Sequence, residues 1–485
     1  AASDVYKRQT EYGAWRPQRR WSDWRRNGST YCTASTPGAY GGFYTKEQLR
    51  DLVNYAAERH ITLIPEIEMP GHSDEVVAAY PEVSCSGKGG DLCPGKEATF
   101  TFLEKVLDET MEIFPSHIIH IGGDEAPKTE WKNCPDCKCR MEQEGLANVE
   151  ELQSYMIKRI ERYLNDHGRS IIGWDEILEG GVAPNATIMS WRGTEGGIQS
   201  MNAGHDVVMT PGEFCYIDYC QDASFSEPPS IGGYTPLDKV YSYEPLDPAI
   251  SPDKAKHLKG VQANLWTEYI TEDDHAEYMY YPRAYAIAEV GWSTPEKDYP
   301  DFRRRALVFN GQMKADGYNV FDLENEYGQR REAMTPVSHL ARGAKVIYTT
   351  PCSRQYTAGG DGALTDGIRG GWRHGDGRWQ GFNGDFEATV DLGQVRPLHY
   401  AGASFMHCEG AWIHLPQNVV ISTSQDGVNF TEQTSIDACF DPHYSKIMVK
   451  EMGTPINVNA RYIRFTAKRH PRRGSWIFTD ELVVN

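Results

Sequence analysis

"HIIHIGGDEAP", residues 117–127, runs from an apolar stretch through two glycines into two neighbouring acids. The apolar residues Ile118, Ile119 and Ile121 do not alternate with polar ones. Such a run reads as a strand covered on both faces, as in a parallel sheet. Gly122 and Gly123 tolerate backbone angles that other residues avoid. Asp124 and Glu125 are therefore expected at the C-terminal end of a buried strand. Successive strand residues point to opposite faces. Two carboxyl groups working across one bond must face each other, and strand neighbours do not, so the pair calls for a different chemistry.

The same pattern extends outward from this stretch. Upstream, "TKEQLRDLVNYAAERH" opens with a capping box, Thr45 with Gln48, and carries the stripe Leu49, Leu52, Val53, Ala56. "ITLIPEIE" follows as a short buried strand, and "FTFLEKVLDETMEIF" as a helix. Downstream, a helix starts at Asn148, with Glu151 three residues on, and stops at Gly168. "SIIGWDE", "TIMSWRG", "DVVMTPG" and "GVQANLW" are further brief strands that end in polar or aromatic clusters. Repeated strand–helix units of this kind predict an α/β fold, a (β/α)8 TIM barrel with its site at the C-terminal strand ends. A doubly wound sheet is the runner-up, and no Gly-rich phosphate loop supports it. After about residue 335 the helical period gives way to period two, as in Phe386, Ala388, Val390 and Leu392, with an Asp426-Gly427 turn. An all-β sandwich is predicted there. The expected domains are a barrel over 10–335 and a sandwich over 340–485.

At 485 residues the chain has room for both. Its net charge of −19 makes nucleic acid an unsuitable partner, and no stretch is apolar enough for a membrane span. Residues 1–9, "AASDVYKRQ", resemble translated sequencing-adapter tails and read as a non-native tail on a fragment that lacks its signal peptide. Eleven cysteines are many for a reducing compartment and favour an extracytoplasmic, periplasmic or secreted, protein. Cys85 and Cys93 bracket "CSGKGGDLC" and read as a local disulfide. "CPDCKC" holds Cys134, Cys137 and Cys139, but no fourth ligand follows at finger-like spacing. A disulfide with a spare thiol is therefore favoured over a metal, and neither metal nor cofactor is expected.

"HIGGDE", "IPEIEMPGH" (64–72), "GWDEIL", "MSWRG", "YIDY" and "LWTE" stand in family order at successive strand ends. Together they resemble the family 20 glycoside hydrolases, the β-N-acetylhexosaminidases, over roughly residues 11 to 330. The resemblance implies retaining, substrate-assisted removal of terminal non-reducing β-linked N-acetylhexosamine (GlcNAc or GalNAc) from glycans. The sugar's own acetamide oxygen is then the nucleophile, which removes the need for a second facing carboxylate. It implies Glu125 as general acid and base. Asp124 would orient the acetamide N–H and balance the charge of the oxazolinium ring. It further implies that Trp174, Trp191 and Trp266 wall the sugar, that Tyr216 bonds the acetamide oxygen, and that Asp218 and Glu268 take hydroxyls. His72 would lie beside the acid residue and tune it. Glu66, Glu68, Asp175 and Glu176 are given supporting roles at most. "ALTDG", "GW", "VDLG" and "ISTSQDGVNF" make the last region similar to the discoidin-like (F5/8 C-type) family, with a possible sugar ligand.

The family's first two strands, with a sugar-binding Arg and a "HWHLTDD" word, have no counterpart here. Six of eight strands are therefore expected, and activity of this chain as written is doubtful. Two other readings compete: a glycosidase with two protein carboxylates, Glu125 as acid and Glu268 as nucleophile, and a non-catalytic carbohydrate-binding protein.

Overall fold

The structure is a computed structural model that describes residues 15–28, 30–223, 226–292, 296–439, 444 and 446–485. The tail reading of residues 1–9 falls outside the described residues. The chain divides into two compact units. The first takes in the chain through Tyr216, with Tyr241–Thr271 and Ala286–Lys297; the second holds Ile217–Val240, Glu272–Tyr285 and Asp298–Asn485.

In the first unit, helix α1 (Lys46–Ala57) begins at the expected capping box. The Gln48 N–H donates to Thr45 Oγ1 at 3.2 Å, and the Thr45 N–H to Gln48 Oε1 at 2.8 Å. Helix α2 (Glu97–Ile113) buries Phe100, Leu103, Leu107 and Ile113 on one face. Each such side chain contributes roughly 1.5–3 kcal/mol of transfer free energy. Helix α3 (Pro135–Glu144) starts with Pro135 at its first position and ends at Gly145 in the left-handed region. Helix α4 (Val149–Asp166) is capped by Asn148, whose Oδ1 accepts from the Glu151 N–H at 2.9 Å. It buries Leu152, Met156, Ile160 and Leu164, and closes where the Arg169 N–H reaches Leu164 O at 2.9 Å past Gly168. Helix α5 (Glu195–Ala203) ends at Gly204.

Five parallel strands lie between and after these helices: β1 (Ile118–His120), β2 (Ser170–Trp174), β3 (Thr187–Ser190), β4 (Val207–Met209) and β5 (Leu258–Val261). They pair in the order β1-β2-β3-β4-β5. That sequential order is the winding of a barrel; a doubly wound sheet reverses direction at a switch point. Segment 65–69 adds to β1: the Ile67 N–H donates to His120 O at 2.8 Å, and the His120 N–H to Pro65 O at 2.9 Å. Among the described residues nothing pairs this segment with β5, so the sheet is barrel-type and open.

Three expectations need correction here. "ITLIPEIE" is not a buried strand along its length, because only its end pairs, and Ile61 and Ile64 are 55% and 45% exposed. Leu52 of the α1 stripe is also exposed, at 46%. The Cys85–Cys93 disulfide is absent as well. Among the described residues no cysteine is bridged, and these two share one cluster with Cys134 and Cys137. Cys85 Sγ lies 3.7 Å from Cys137 Sγ, and Cys93 Sγ lies 3.5 Å from Cys137 and 3.8 Å from Cys134. Local spacing pairs the two ends of one loop, whereas the fold brings a second loop between them.

The second unit carries an antiparallel sheet of seven strands: β6 (Lys345–Tyr348), β7 (Gln380–Phe382), β8 (Phe386–His407), β9 (Asn418–Ser424), β10 (Thr431–Asp437), β11 (Met448–Ala467) and β12 (Ile477–Val484). The order is β10-β9-β11-β8-β12-β7, with β6 on β8. Phe386, Ala388 and Val390 point inward, as period two requires, onto Leu398, Phe405, Ile463 and Phe465. Register shifts between Asp391 and Arg396, and between Leu398 and Tyr400, bend the long β8–β11 pair around that core. At the β9–β10 turn, Asp426 Oδ1 accepts from the Val428 and Asn429 N–H groups at 2.8 Å each, and Gly427 takes φ of +77°.

Candidate active site

The site grows from the end of β1. Gly122 and Gly123 have φ of +68° and +102°. A Cβ on Gly122 would collide with the Glu68 carboxylate, and one on Gly123 with the Ile177 side chain. Glu68 Oε1 accepts from the Gly123 N–H at 3.0 Å, and Gln153 Nε2 donates to Gly123 O at 2.8 Å. The turn is thus held from both sides, and it carries Asp124 and Glu125 out of strand alternation. Glu125 itself sits at φ +48° and His72 at +43°, in a region that side chains rarely adopt. Each such residue costs about 1–3 kcal/mol, and they concentrate at functional sites.

His72 joins the pair. Its Nε2 lies 3.2 Å from Glu125 Oε2 and 3.3 Å from Asp124 Oδ2. The loops meet closely because Gly71 has no side chain; a Cβ there would stand 2.7 Å from Asp124 O. Hydrogen bonds to Asp124 and then Glu125 raise the His72 imidazole to about 10, so it is a cation at neutral pH. Burial pushes Asp124 up, but the hydrogen bond and charge of His72, with a bond to Glu68, hold its carboxyl below the usual range. Asp124 Oδ1 is buried and has no hydrogen-bond partner in the structure. The site therefore holds a charged carboxylate with one oxygen anchored and the other, buried, without a hydrogen bond among the described residues.

The aromatic residues converge. Trp174 ends β2, and its N–H donates to Gly122 O at 2.8 Å. Its ring meets Trp266 at 5.9 Å between centroids; Trp266 meets Tyr216 at 6.5 Å, and Tyr216 stacks on Trp191 at 6.0 Å. Two indole N–H groups are anchored on acids: Trp174 Nε1 donates to Glu66 Oε1 and Trp191 Nε1 to Glu176 Oε2, both at 2.9 Å. Anchoring fixes the rings: Trp174 and Tyr216 are buried and Trp191 and Trp266 half-buried, an aromatic cluster of the kind that suits a methyl group or a sugar face. Burial pushes Glu176 up to about 7, with the Trp191 hydrogen bond opposing it. Asp175 pairs instead with Arg192, Oδ1 to Nε at 2.8 Å.

Glu268 stands two residues beyond Trp266, half-buried in the first unit. Asp218 is buried in the second unit, where its charge acts on Arg283. One support escaped the sequence reading, and another was read too weakly. Gln153 is a buried amide on α4, where Ser154 and Glu161 are buried polar residues too, so the sequence carried no signal that singled it out. Glu68 braces the Gly123 turn more directly than its supporting role suggested.

The chain belongs to the family described as "Glycosyl hydrolase family 20, catalytic domain", whose model matches residues 2–295. The match takes in residues 1–9 from the second onward. A β-hexosaminidase of Porphyromonas gingivalis is 48% identical over 333 residues, covering 64% of this chain and 42% of that protein. One from Vibrio furnissii is 38% identical, over 53% of this chain and 44% of its own length. This chain thus spans less than half of either relative. Among solved structures, the exo β-N-acetylglucosaminidase of Vibrio harveyi in complex with N-acetylglucosamine is 30% identical, with a TM-score of 0.57. It covers 65% of this chain and 51% of its own.

Proposed function

We propose that this protein is an exo-acting β-N-acetylhexosaminidase that cleaves by substrate assistance. The observation that carries this reading is the state of Asp124: ionised, anchored by His72 through Oδ2, and without a hydrogen bond at a buried Oδ1 among the described residues. An acetamide N–H is the donor that oxygen fits. Accepting it turns the acetamide carbonyl toward the anomeric carbon, and the carboxylate then balances the oxazolinium charge. Glu125 protonates the leaving oxygen and later takes a proton from water. Trp174, Trp191 and Trp266 hold the sugar and its methyl group, and Tyr216 the acetamide oxygen; Asp218 and Glu268 take hydroxyls. The names of the P. gingivalis and V. harveyi proteins support the substrate class.

The finer organisation is part of the same proposal. The barrel runs over 10–335, and two further strands would close its open sheet. Residues 340–485 form a discoidin-like sandwich that takes a sugar ligand. An extracytoplasmic location follows from polymeric glycans, which do not cross a bilayer. A thiazoline mimic of the bicyclic intermediate tests the mechanism. Tight binding, weakened in Asp124→Asn, is expected; binding no tighter than GlcNAc itself would favour the two-carboxylate reading with Glu268.

A further inference from the structure

Four cysteines from two loops meet in the first unit. Cys85 and Cys93 come from the loop after His72; Cys134 and Cys137 come from the start of α3, after Glu125. All four sulfur atoms lie within 4.8 Å of one another, and three of the separations are 3.5, 3.7 and 3.8 Å. A tetrahedron with zinc–sulfur arms of ~2.3 Å has edges of ~3.8 Å. A disulfide instead needs one pair at ~2.05 Å, which leaves its neighbours outside the bond. The cluster is too tight for an iron–sulfur cluster, whose cysteines spread around several metal atoms.

The surroundings suit thiolates. Cys134 is the N-cap of α3 and Cys137 lies in its first turn, where the helix end favours negative charge. Gly95 packs so closely on α3 that a Cβ there would collide with the backbone of Asp136 and Cys137. Trp131, Val149 and Leu152 cover the cluster with apolar surface, and Cys93, Cys134 and Cys137 are buried.

We infer that Cys85, Cys93, Cys134 and Cys137 form a mononuclear structural zinc site. Binding replaces four S–H protons by four zinc–sulfur bonds, releases the protons to solvent and leaves a centre of net charge −2. With no ligand position left open, the site is structural. Its place in the fold gives it a task. Next to Cys93, the Leu92 N–H donates to Pro70 O at 2.8 Å, and Trp131 Nε1 donates to Leu92 O at 3.1 Å. The Lys128 N–H reaches Asp91 Oδ2 at 2.9 Å. The zinc thus staples the His72 loop to the Glu125 loop. This inference stands whether or not the hexosaminidase reading does.

The test is elemental analysis of the untagged chain, purified without chelator. About one zinc per chain is expected. Reloading with cobalt(II) should give the visible bands and sulfur-to-metal charge transfer of a tetrahedral tetrathiolate. Cys93→Ser and Cys137→Ser should each lower zinc content roughly tenfold or more, while Cys139→Ser and Cys439→Ser leave it unchanged. Should the first two variants fail to fold, the metal content and cobalt spectrum of the unaltered chain decide. Iron in place of zinc would overturn the assignment. So would a metal-free protein whose unreduced digest shows bridges such as Cys85–Cys137 or Cys93–Cys134.

Discussion

At the scale of single residues, the roles proposed for the two acids differ with exposure and partner. Glu125 is 58% exposed and borders solvent, as a group that exchanges protons with a leaving group and with water must. Glu125→Gln should lower kcat by roughly 10²–10⁴ for glycosides with basic leaving groups. A far smaller loss is expected for an aryl leaving group that departs unprotonated; equal losses in paired assays would remove Glu125 from the acid role. His72 bears on pH. Its folded pKa, about 10, lies above its unfolded 6.5. The stability it adds is therefore complete below about 6.5 and declines above it, vanishing as pH passes about 10. At the acid end the same pairing is lost as Asp124, held below the usual carboxylate range, finally protonates. The melting-temperature gap between the wild type and His72→Phe should be widest in mildly acidic buffer and shrink steadily from neutral to pH 10. A gap that grows with pH would mean that the imidazole is neutral in the fold.

At the scale of elements, local chemistry was most legible where one or two residues decide a boundary. Thr45 with Gln48 and Asn148 with Glu151 mark helix starts through bonds that lie within four residues of chain. Thr45→Ala should cost about 1 kcal/mol in urea denaturation, because the Gln48 N–H of the first turn loses its acceptor, Thr45 Oγ1. Gly122→Ala should cost more. The backbone at φ +68° alone contributes about 1–3 kcal/mol, before the overlap with Glu68. Loss of activity beyond loss of stability is expected there, since the turn aims both acids. The strand ends carrying Trp174, Trp191 and Trp266 were equally legible, since each follows a short apolar run. What depends on distant chain was not. Cys85 and Cys93 look like each other's partners until a segment some 40 residues on, holding Cys134 and Cys137, is folded between them. Ile61 and Ile64 look like core because hydrophobic pattern records what a residue is suited to cover, while burial needs a neighbour to cover it.

At the scale of the whole molecule, those exposed residues are not scattered. Tyr40, Phe43, Tyr44, Leu52, Tyr55, Ile61 and Ile64 are all 40% or more exposed and fall within one short stretch of the first unit. Single exposed apolar residues are ordinary, but a group this dense marks surface suited to cover or to association. The 65–69 segment adds to the same liability, because it pairs with β1 on one side and with no strand on the other among the described residues. An open parallel sheet edge beside apolar side chains is a template for a second chain. We therefore expect this chain to self-associate at micromolar concentration and to bind a hydrophobic dye while folded. The triple change Leu52→Lys, Tyr55→Glu, Ile61→Thr should restore a monomer in light scattering after gel filtration, with the far-ultraviolet circular dichroism unchanged. None of the three side chains is buried, so the cost to stability should stay within about 0.5 kcal/mol each. Persistent association after the change would shift the cause to the strand edge itself. A proline at Ile64, whose N–H makes no ladder bond to β1, would then be the substitution that separates edge pairing from apolar contact.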